Sequence, residues 1–100
     1  MADLLDQARR LGHELFAAIA EKGEPGRLNR PLVKALADEG LLELVFGGSA
    51  QELCQLREGL AHGCTEAETA LALQGLGGYP ILRAAKPELR NDWIPKLSAG

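Results

Sequence analysis

The sequence predicts an all-α fold, a bundle of about five to six helices, on three observations. Leucine (19) and alanine (15) supply a third of the 100 residues, and both lose little side-chain freedom in a helix. Val, Ile and Thr, which favour strands, number only seven together. Apolar residues recur at spacings of three and four between recognisable helix starts and stops.

Asp3 caps a first helix running to about Lys22, in which Leu4, Ala8, Leu11, Leu15 and Ala18 form one apolar stripe. Gly23 ends it, and Glu24, Pro25 and Gly26 make the turn. Asn29 and Pro31 open a short second helix with Leu32, Val33, Leu36 and Ala37 inward, and Gly40 supplies a left-handed stop. Asp38 and Glu39 then sit at the unfavourable end of that helix dipole, at a cost of about 0.3 to 1 kcal/mol each if exposed. Ser49 and Glu52 form a capping box for a third helix with Leu53, Leu56, Leu60 and Ala61 inward, closed by His62 and Gly63. Thr65 and Glu68 repeat the device for a helix from Glu66 to about Leu76, which is apolar on nearly every side and so expected to be buried all round. Gly75, Gly77 and Gly78 weaken its end, as a close approach by another backbone or a ligand would require, or as tight helix packing would. Pro80 starts a brief turn through Ile81 and Leu82. Pro87 starts a last helix with Leu89, Trp93 and Leu97 inward and Pro95 breaking its final turn.

Composition bounds the function. With 46% hydrophobic, 25% charged and 4% aromatic residues, the chain is a soluble globular domain, and a single one. A deep cofactor cavity would consume much of so small a core, which argues against a complete cofactor enzyme. The net charge of −3 comes from 14 acids and 11 bases with no Lys/Arg cluster, so nucleic acid is not expected as a partner. Asp3 and Asp6 speak against a positively charged leader. The longest uncharged stretch, Thr69 to Leu82, is interrupted by glycines and Pro80 and falls short of the ~20 apolar residues of a membrane span. Cys54 and Cys64 form no CxxC pair and have no His/Cys quartet around them, so neither a disulfide framework nor a zinc site is supported, and a cytoplasmic setting is expected.

Self-contained chemistry is thin. His13 and His62 lie on different helices with no carboxylate or cysteine at the spacing of a ligand or catalytic set, so no metal is expected. Cys64, before a helix start, reads as a small buried side chain at a junction, although such a position also lowers a thiol pKa. The glycines at 75, 77 and 78 follow no strand and open no helix, so they lack the context of a phosphate loop. Glu66, Glu68 and Glu88 are explained by helix N-termini before any general-base role. Arg9, Arg10, Arg57 and Arg90 read as a solvated charge pattern, with Arg90 placed to stack on Trp93 or pair across an interface.

The order of segments is distinctive. Leu36-Ala37-Asp38-Glu39-Gly40-Leu41-Leu42 is followed by Gly47-Gly48, Arg57-Glu58-Gly59-Leu60-Ala61 and Gly63-Cys64-Thr65. Pro87-Glu88-Leu89-Arg90, Trp93-Ile94-Pro95-Lys96-Leu97 and Ser98-Ala99-Gly100 complete it. This series resembles the N-terminal helical domain of the flavin-dependent acyl-CoA dehydrogenases over nearly the whole chain. The resemblance implies an orthogonal-type helical bundle forming the first domain of an enzyme whose middle β-domain and C-terminal helical bundle hold FAD. It also implies α,β-dehydrogenation of an acyl thioester on CoA or a carrier protein, a homodimer or homotetramer, and an electron-transfer flavoprotein as electron acceptor. The family's flavin signature and catalytic base match nothing in these residues, so no catalytic residue is carried over. What the resemblance carries over is the wall beside the acyl tail, at Glu68, Ala72, Leu73 and Leu76, with Gly77, Tyr79 and Pro80 at its exit. Small Ala72 and apolar Leu76 would leave room for a tail whose burial yields about 0.8 kcal/mol per methylene. Glu68 fits that wall less well, because a carboxylate facing a hydrocarbon is costly, and capping is the competing role. The pattern departs in one stretch: the family's longer proline-containing loop before the glycine pair is replaced by Glu43 to Phe46. Two other readings stay open, a free-standing helical interaction module and the same domain in an acyl-CoA oxidase or flavin monooxygenase.

Overall fold

A computed structural model describes residues 3–100, which form six helices and no strand. Helix α1 spans residues 4–21 as an α-helix Leu4–Leu11, a π-helical turn Gly12–Phe16 and an α-helix Ala17–Glu21. It is followed by α2 (Arg30–Asp38), α3 (Leu41–Gly47), α4 (Ala50–Gly63), α5 (Thr65–Ala84) and α6 (Pro87–Ser98). The Cα envelope measures 38 × 35 × 17 Å. A helix with its side chains is about 10 Å across, so the molecule is a slab two helices thick.

The starts and stops form largely as their residues dictate. The Asp3 carboxylate accepts from the Leu5 N–H at 3.3 Å. Asn29 does two jobs, accepting from the Leu32 N–H at 3.1 Å to open α2 and donating to the Ile19 carbonyl at 3.1 Å to close α1. Gly40 turns the chain with φ +76°, and the reciprocal Ser49–Glu52 box opens α4. Asp38, at the unfavourable end of α2, pairs with Lys34 one turn earlier at 2.7 Å.

Several elements differ from the sequence reading. The π turn inserts one extra residue into α1, so the buried line runs Ala8, Gly12, Phe16 and leaves Ala18 exposed. Residues 43–46 are not a loop. They belong to α3, which lacks a polar cap but buries Leu41, Leu42 and Val45. In α4 the inward position beside Leu60 is Gly59, and Ala61 is exposed. The second capping box does not form. Cys64 alone separates α4 from α5, so Thr65 already lies in the helix, its hydroxyl bonded to Glu66 and the Glu68 carboxylate bonded elsewhere. Helix α5 runs on past Leu76 and through Pro80 to Ala84, where a turn was expected. Nor is it buried all round, since Leu73 and Leu76 are 60% and 72% exposed. In α6, Ile94 and Leu97 face the body, while Leu89 and Trp93 turn outward. The Gln74 amide donates to the Leu97 carbonyl at 2.9 Å, fixing that rotation.

The core is one seam. Phe16, Leu36, Leu42, Leu56, Leu60 and Leu71 are fully buried along it. Glycines set the α1–α4 approach. A Cβ at Gly63 would lie 2.6 Å from the His13 nitrogen, and one at Gly59 would lie 2.8 Å from the Ala8 Cβ and closer still to the Leu5 carbonyl. Gly78 serves in the same way on α5, where a Cβ would meet the Phe46 ring at 2.6 Å.

Candidate functional site

Beside α5, against α3 and the start of α4, runs an apolar groove of about 340 Å³. Buried Val45 and Leu71 and half-buried Leu53 give it an apolar base. Gly75 widens it, because a Cβ there would press on Val45 at 2.7 Å. Exposed Leu76 and Tyr79 and half-buried Ala72 continue the lining along α5. From Leu71 to Tyr79 the lining covers about 12 Å at the helical rise of 1.5 Å per residue. Ser49 and Arg57 bring polar groups from α4.

Of the residues singled out in the sequence, Ala72, Leu76 and Tyr79 therefore line one groove. Glu68 lies one turn before Ala72 on α5 and meets the groove through Arg57, whose Nη2 and Nε reach its Oε1 at 2.6 and 2.7 Å. Leu73 belongs to a different hollow of about 510 Å³, with Leu28, Leu32 and Thr69. Gly77 has nothing within 4 Å of a Cβ position, so it answers to no close approach among the described residues. Pro80 lies inside α5, and its missing N–H leaves the Leu76 carbonyl without its helical donor.

Arg57, a solvated charge by sequence, is indeed about half exposed, and what the sequence does not give is its partner. Its partner lies eleven residues on and around a helix corner, beyond the reach of helical spacing rules. The one sequence signal was an acid placed among apolar residues. The two histidines, read as unrelated, come together where α1 crosses α4, with ring centroids 5.8 Å apart and edge-on. No group of three or more metal-ligating side chains occurs among the described residues. Cys54 and Cys64 are free thiols, the first exposed and the second buried. The cation over Trp93 is Lys96, at 5.0 Å, rather than Arg90. No helix among the described residues is long and apolar enough to cross a membrane.

Gly75, Gly77 and Gly78 all lie within α5, where their backbone N–H groups serve the helix, so these three glycines form no phosphate-binding loop. The surface offers an apolar groove with one ion pair beside it, an arrangement that can bind and orient an apolar group.

A cyclohexane-1-carbonyl-CoA dehydrogenase from Geobacter metallireducens is 29% identical over 105 aligned residues, covering 97% of this chain and 27% of that protein. The chain thus spans about a quarter of the length of that curated relative. No solved structure matches significantly. The family description "Acyl-CoA dehydrogenase, N-terminal domain" matches residues 2–100. A match over that extent, on an all-helical fold, means that the chain belongs to the acyl-CoA dehydrogenase family and corresponds to its N-terminal domain.

Proposed function

We propose that these residues form the substrate-side helical domain of an FAD-dependent enzyme that dehydrogenates an acyl thioester at its α and β carbons. The acyl group, carried on CoA or on a carrier protein, lies along the groove against Ala72, Leu76 and Tyr79. The observation that carries this reading is the apolar, open groove along α5. The domain's part is to bind the acyl tail, set its direction and keep water from it. FAD, which supplies the hydride acceptor, is assigned to protein outside these residues. A cytoplasmic homodimer or homotetramer passing electrons to an electron-transfer flavoprotein completes the reading. Oxygen consumption during turnover would point instead to an oxidase or monooxygenase.

Two measurements test it. The protein expressed from its gene, supplied with FAD, is expected to show a flavin absorption band that bleaches when an acyl-CoA is added without oxygen. A colourless protein, or a band no acyl-CoA bleaches, would sink the reading. Ala72→Phe is expected to shorten the preferred acyl chain with unchanged flavin content. An unaltered chain-length profile would show that Ala72 does not face the substrate.

A further inference from the structure

The ion pairs among the described residues are of two kinds. Arg27–Glu24, Lys34–Asp38 and Lys96–Asp92 join neighbours within one turn, with every side chain at least 60% exposed. Such pairs contribute little. Arg57–Glu68 joins α4 to α5 instead, and the Glu68 side chain is only 18% exposed. Two guanidinium nitrogens converge on Oε1, while Oε2 has only the Thr69 hydroxyl at 3.5 Å. This clamp fixes the plane of the guanidinium. Its Nε–H donates to Oε1 and Nη2 lies against the same oxygen, while the other N–H donors have no protein partner among the described residues and the side chain is 49% exposed. Arg57 is also the one charged side chain lining the groove.

An unengaged, oriented donor at the side of an apolar groove has a chemical meaning. A methyl-ended chain reaching it strips water from N–H groups and returns nothing. An oxygen reaching it recovers the hydrogen bond. Because Glu68 already neutralises the cation, the pair as a whole carries no charge to offset the desolvation of a further carboxylate. A neutral oxygen fits best.

We infer that Arg57 is the specificity-determining residue of the groove, reading a hydroxyl or keto oxygen at the far end of the acyl group, with Glu68 as its positioning residue. This rests on the acyl-thioester reading above. The test uses the flavin-loaded protein and three CoA thioesters of equal chain length ending in methyl, hydroxyl or carboxylate. Binding is followed by calorimetry on non-reactive thioether analogues, and turnover as kcat/KM. Wild type is expected to favour the hydroxyl end over the methyl end about tenfold, the size of one hydrogen bond to a charged donor. Glu68→Gln, which leaves the guanidinium unneutralised, is expected to raise carboxylate-ended binding about tenfold. Arg57→Met paired with Glu68→Gln removes both charges and leaves neither without its partner, and the methyl end is then expected to win. A wild-type preference for methyl or carboxylate ends, or a hydroxyl preference that survives the double variant, overturns the inference alone. Failure of all three thioesters to bind or to reduce the flavin overturns the acyl-thioester reading and this inference with it.

Discussion

The α1–α4 crossing and the outward side of α5 are made from the same residue types, leucine, alanine and glycine, and behave oppositely. At the crossing, Gly12, Gly59 and Gly63 bring two backbones together, and Leu56 and Leu60 are shut from water. On α5, Leu76 points outward, Gly77 meets nothing, and Gly75 opens space rather than filling it. One region spends its apolar surface on folding, and the other leaves it available for something else. Residue type therefore says little about role here; the partner on the far side of the contact decides it.

Substitutions in matched pairs separate the two regions. Leu56→Ala, at a fully buried site, is expected to destabilise by about 3 kcal/mol, whereas Leu76→Ala, 72% exposed, should stay within about 0.5 kcal/mol. Urea denaturation of both variants reads this, and equal losses would erase the distinction. Gly59→Ala puts a methyl 2.8 Å from the Ala8 Cβ, and the overpacking is expected to cost about 2 kcal/mol. A neutral result in the same assay would mean that α1 can slide away from α4. Ser49 sits where the regions meet, capping α4 and lining the groove. Ser49→Ala should cost about 1 kcal/mol through the lost cap, seen as a lower thermal midpoint. The smallest effect has the opposite sign. Gly77→Ala adds a methyl in open space on a helix and is expected to stabilise by up to about 0.8 kcal/mol; a loss measured in the intact protein would reveal a neighbour pressed against α5 there.

Features that depend on a few adjacent residues were legible in the sequence. The caps at Asp3, Asn29 and Ser49, the left-handed Gly40 and the proline opening α6 are settled by chemistry within one turn. Features that depend on distant partners were not. The π turn in α1 answers to the backbone of α4, and the outward rotation of Trp93 answers to Gln74 and Gly78 on α5. The candidate site was half visible for the same reason. Ala72, Leu76 and Tyr79 share a helix and could be grouped by period, but Leu73 lies one step round to another hollow. Arg57 comes from a different helix altogether.

A slab two helices thick has a consequence for how such a protein can change over evolutionary time. With a single internal seam, positions divide sharply into those that hold the fold and those that do not, and few belong to both. Leu76 and Tyr79 are exposed and off the seam, so on the function proposed above exchanges there would retune ligand choice with little change in the folding equilibrium. New specificities are then reachable one substitution at a time, each intermediate still folded.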